Sequence, residues 1–73
     1  MSKVLVIIKT GEEVPMPREL PNCALEEAVI SRGLAKPETV ATQFGYGHGA
    51  VFVKHGIGWR MLGYTKDVEV EKP

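Results

Sequence analysis

Apolar and polar positions along the chain fall into three spacings, and each predicts a different element. The first is an unbroken apolar run, Val4 to Ile8, flanked by Lys3 and Lys9 and closed by Thr10 and Gly11. A short run rich in β-branched residues that ends in a turn signal predicts a strand over residues 3–9, buried on both faces and therefore interior to a sheet. The segment 13–17 alternates Val14 and Met16 with Pro15 and Pro17. Proline donates nothing to a sheet ladder, so a strand there belongs at an edge.

The second spacing is helical. Leu25, Ala28 and Val29 share one face of a helix expected over residues 23–32, with Asn22 as N-cap, Glu26 and Glu27 toward its positive end, and the stem of Arg32 along the border of the buried stripe. Gly33 stands where a left-handed terminator belongs, and Leu34 follows in position to touch Val29. Cys23 and Ile30 fall off the stripe and form a small apolar pair on the outer side.

The third spacing returns to strands. Residues 39–44 are rich in β-formers, with a single helical turn beginning at Pro37 as the competing reading. Residues 50–55 and 59–64 flank Gly56-Ile57-Gly58 and read as a hairpin. The tail 67–73 alternates charge with valine, as a short edge strand or a frayed end. The expected architecture is a single α+β domain over residues 1–73, with one helix on a mostly antiparallel sheet of three to five strands in the order β-(β)-α-β-β-β.

Composition fits that picture. With 73 residues there is room for one thin core, and 44% apolar with 25% charged residues is globular in character. Cys23 is the single cysteine, so an internal disulfide is excluded and a reducing, cytoplasmic setting is the expectation. The apolar run of five residues is too short for a signal-peptide core or a membrane span, so no membrane partner is expected. A formal net charge of zero argues against nonspecific adhesion to polyanions. The charge is uneven, however: residues 39–66 hold no Asp or Glu, while Lys54, Arg60 and Lys66 are present beside His48 and His55.

Candidate chemistry is sparse. Cys23, His48 and His55 lack the paired spacing of a metal site, and no cofactor motif is present, so no metal, cofactor or catalytic residue is expected. The glycines at 45, 47 and 49 surround Tyr46 and His48 in a pattern that permits close approach to a phosphate, but strands flank the loop where a phosphate cradle leads into a helix. A plain inter-strand loop is the simpler reading, and a small-ligand site using His48 the weaker alternative.

The sharper expectation comes from the hairpin. With a three-residue turn, Val51, Val53, Trp59 and Met61 lie under the helix, and Phe52, Lys54, Arg60, Leu62 and Tyr64 share the opposite face; a two-residue turn mixes these sets. The second set, joined by Tyr46 and Lys66, supplies rings and cations without acid. It suits a protein partner, as expected of a regulatory, inhibitory or accessory module that is not an enzyme, and alternatively suits nucleic acid. A competing arrangement covers Phe52, Leu62 and Tyr64 with the segment around Met16 and Leu20. A homodimer through an edge strand or the Cys23 and Ile30 pair remains open to the same sequence.

Overall fold

The computed structural model describes residues 2–68. They form one helix on one face of a five-stranded antiparallel sheet: β1 (Ser2–Ile7), β2 (Glu13–Met16), α1 (Asn22–Ile30), a 3₁₀ turn (Pro37–Thr39), β3 (Val40–Gly45), β4 (His48–His55) and β5 (Gly58–Val68). The order across the sheet is β2-β1-β5-β4-β3. β1 is thus an interior strand, as its apolar run predicts, and β2 with Pro15 lies at an edge. Both readings of residues 37–44 are realised in succession, a turn of 3₁₀ helix and then a strand. Asp67 and Val68 pair with Lys3 and Ser2 as the end of the central strand, not as an edge. The rest of the expected tail lies outside the described residues.

Strand parity divides the sheet into a covered and an open face. Leu5, Ile7 and Val51 turn toward α1 and are sealed with Leu25, Ala28 and Val29, the helical stripe read from the sequence. Leu20, held at a positive φ of 50°, is also buried in this cluster. For a branched side chain the left-handed region is strained by roughly 1–3 kcal/mol, an expense offset by burying Leu20 where the β2–α1 connection crosses the core. Met16 packs against the same cluster. The segment around Met16 and Leu20 therefore completes the covered face and does not roof Phe52 and Tyr64.

The helix departs from expectation at its start. Pro21 (φ −69°, ψ 147°) is the N-cap and Asn22 is already helical, without a side-chain cap bond. The proline ring fixes φ, and its carbonyl accepts from Ala24 N–H at 3.0 Å, so the first turn closes one residue early. Glu26 and Glu27 consequently sit beyond the first turn. The C-terminus follows the sequence: Gly33 has φ 72°, Leu34 N–H donates to Val29 O, and Gly33 N–H donates to Ile30 O, each at 3.0 Å, the paired bonds of a Schellman stop. Ile30 packs against the core and is not part of an outer patch. Arg32 reaches the β1–β2 connection, where its guanidinium donates to both carboxylate oxygens of Glu12 at 3.0 and 2.7 Å.

Candidate functional site

The β4–β5 turn decides which side chains share the open face. His55 pairs with Gly58, leaving Gly56 (φ 62°) and Ile57 as a two-residue turn in which the first central residue is left-handed. That position suits glycine, as in a type II′ hairpin turn. Lys54 then faces Trp59, Val53 faces Arg60 and Phe52 faces Met61. The pairing slips by one between Val51 and Phe52, so Leu62 is an extra residue on β5, and beyond it Val51 faces Gly63 and Ala50 faces Tyr64.

This register corrects the face assignment drawn from a three-residue turn. Trp59 and Met61 are not under the helix; they join Phe52, Lys54 and Tyr64 on the open face. Arg60 lies on the covered side opposite Val53, and Leu62 packs against the core cluster. Tyr64 keeps its expected face because the turn and the bulge each shift parity once. Lys66 is on the open face, but its ammonium is 2.9 Å from Glu13, which raises its pKa through a hydrogen bond and charge attraction. Tyr46 is remote. It forms the β3–β4 turn with Gly47, both at positive φ (53° and 79°), at the end of β4 opposite to Ile57.

The open face is thus a stripe along β4 and β5. Trp59, Met61 and Tyr64 are 58, 41 and 43% exposed, with half-buried Phe52 and Ala50 between them. Ala41, Gln43, Phe52 and Trp59 line a shallow groove beside edge strand β3. Toward the opposite edge the stripe ends where Pro15 and Lys66 flank Val4, which is only 8% exposed. Trp59 and Met61 were legible only through the turn length, because the two-residue alternative alone moves them out of the core.

The glycine-rich segment 45–49 is the tight β3–β4 hairpin connection, with strands on both sides of it. Gly49 N–H already donates to the buried Thr65 hydroxyl at 2.8 Å. A Cβ at Gly49 would stand 2.9 Å from Leu25 Cδ1, so this backbone is pressed against the helix. His48 and His55 occupy opposite ends of β4, about 23 Å apart at the rise of an extended strand. Among the described residues no three His, Cys, Asp or Glu side chains gather as metal ligands. Among the described residues no helix is long and apolar enough to cross a membrane. Comparison with family models, with curated proteins and with solved structures finds no match to this chain.

Proposed function

We propose that this chain is a small non-enzymatic module that binds a protein partner through the open face of its sheet, in a regulatory, inhibitory or accessory role. The observation that carries the reading is the contiguous stripe of Phe52, Trp59, Met61 and Tyr64 on a face that α1 does not cover. Aromatic residues and methionine are enriched in the cores of protein interfaces, and tryptophan and tyrosine among the residues that dominate binding energy. Charge supports it from the margins: Lys54 stands at one end and the Lys66–Glu13 pair at the other, a polar rim around an apolar centre. The original basic-aromatic platform loses support on this face, since Arg60 points away and Lys66 is partnered.

The test compares capture of binding partners by the wild-type chain, by Trp59→Ala with Tyr64→Ala, and by Glu27→Lys on the outer side of α1. The expected result is a partner retained by wild type and Glu27→Lys and lost at least tenfold by the open-face variant, which still unfolds in one cooperative transition with a melting temperature lowered only modestly. Capture that ignores the open-face substitutions would end this reading.

A further inference from the structure

A second surface, which adjoins the apolar stripe and shares the Lys54–Trp59 pair with it, gathers at the β4–β5 turn. β3 accompanies β4 only as far as Val40 opposite Val53, and β1 accompanies β5 only from Ile7 opposite Gly63. Between those limits the two strands pair only with each other, save for one bond from Ile8 N–H to Leu62 O. Residues 54–61 therefore project from the sheet as a two-stranded arm about 10 Å long at an extended rise of about 3.3 Å per residue. Ile57 stands at its tip, fully exposed.

Cations surround the arm. Lys54 and Arg60 belong to it, and the Arg60 guanidinium lies 3.5 Å from His55 Nε2. Arg60 and Lys9 line one hollow at the arm's base together with Leu34 and Leu62. Lys36 and Lys54 line the adjoining hollow, again with Leu34. Among the described residues none of these four cations is bound to a carboxylate. The acids of the neighbouring segments are Glu12, held by Arg32, Glu13, held by Lys66, and Glu38 in the 3₁₀ turn. In a chain of zero net charge, this end is positive by segregation.

The geometry points to a B-form DNA duplex as the partner of this end, with the arm entering the major groove and Lys9, Lys36, Lys54 and Arg60 against the flanking phosphates. The major groove, about 12 Å wide and 8.5 Å deep, admits a two-stranded ribbon of this length. A-form RNA offers only a narrow major groove that side chains do not read. An anionic bilayer is the less favoured surface, because a tip with one isoleucine between two glycines inserts far less apolar area than stable anchoring requires. The inference shares Lys54, Trp59 and Met61 with the protein-binding reading but rests on the cations and not on the apolar stripe, and Tyr64, which lies outside the arm, separates the two.

The experiment is fluorescence anisotropy with a labelled 20-base-pair DNA duplex, an RNA duplex and a DNA single strand of equal length, and flotation with vesicles of phosphatidylcholine and phosphatidylserine. Binding to duplex DNA at micromolar protein in 50 mM salt is expected, weakening about 100-fold by 200 mM, as release of counterions from about four phosphates requires. Lys54→Ala with Arg60→Ala should lower affinity at least tenfold and flatten the salt slope by about two. Lys9→Gln with Lys36→Gln, remote from the hairpin turn, provides the same readout should the first pair melt early. Tyr64→Ala should bind DNA as wild type does. No duplex binding at 50 mM salt, equal affinity for the RNA duplex or single strand, capture by vesicles alone, or a salt slope indifferent to both cation pairs would overturn the proposal.

Discussion

Under α1, Leu5, Ile7 and Val51 are almost wholly removed from water, while on the other face half-buried Phe52, next to Val51 on β4, and exposed Tyr64 on β5 have no helix over them. The two faces draw on the same strands and the same kinds of side chain. The difference is a single nine-residue helix. It has only enough buried stripe, Leu25, Ala28 and Val29, to seal one side. With one helix and five strands, the described residues leave one sheet surface uncovered, and whether that surface is polar or apolar is then a matter of its side chains. Here it is apolar along β4 and β5, which is why partner binding is the reading it supports.

The comparison breaks or sharpens most decisively at the helix. Leu25→Ala is expected to cost about 2–5 kcal/mol, the range for truncating a sealed leucine, read as a large fall in the chemical denaturation midpoint. Next is Gly63→Ala. A Cβ there would stand 2.7 Å from Val6 O, a backbone atom that cannot turn aside, and roughly 1–3 kcal/mol of destabilisation is expected from overpacking of this kind. Thr65→Val keeps the volume but leaves Gly49 N–H without its acceptor, for about 1–3 kcal/mol on the same measurement.

Trp59→Ala should do less, about 1 kcal/mol, since the ring is 58% exposed and its main loss is the cross-strand pair with Lys54. A loss as large as that of Leu25→Ala would show the open face to be a second core and dissolve the distinction. Smallest is the response to acid. Arg32 lowers the pKa of Glu12 and Lys3 lowers that of Asp67, each chiefly by a hydrogen bond. Folded-state values below the unfolded ones mean that these pairs stabilise above about pH 4, the ordinary carboxylate range, and that their contribution fades as pH falls through the folded values. Glu12→Gln with Asp67→Asn should therefore flatten the decline in melting temperature between pH 7 and pH 3 by a small, salt-sensitive amount.

What was legible in the sequence follows the length over which a pattern repeats. Leu25, Ala28, Val29, Gly33 and Leu34 constrain one another across nearly three turns, so the helix, its buried side and its stop were all readable. Pro15 placed β2 at an edge because proline lacks the N–H that an interior strand must donate. The faces of β5 were not readable with the same security. Gly56-Ile57-Gly58 satisfies either a two- or a three-residue turn, and the choice inverts every side chain up to Met61. The bulge at Leu62 inverts the remainder back, and nothing in the local composition marks it. Phe52, Lys54 and Tyr64 were thus placed correctly and Arg60 and Leu62 were not. Lys66 was read as a free binding cation, but it pairs with Glu13, which is distant in sequence and so not revealed by local patterning.

The extra residue at Leu62 makes β5 a strand with two reading frames. Residues 58–61 are phased by the turn with β4, and residues 63–68 by the pairing with β1, and the one surplus amino acid joins them as a comma joins two clauses. Deleting it would remove little mass and no charge. It would leave Met61 followed directly by Gly63, so Phe52 opposite Met61 and Val51 opposite Gly63 become neighbouring pairs of one regular ladder and every other side chain keeps its face; what is lost is the Leu62 contact with the core. The surplus residue is thus a spacer: it lets Leu62 reach the core while the faces on either side of it stay as the turn and β1 set them.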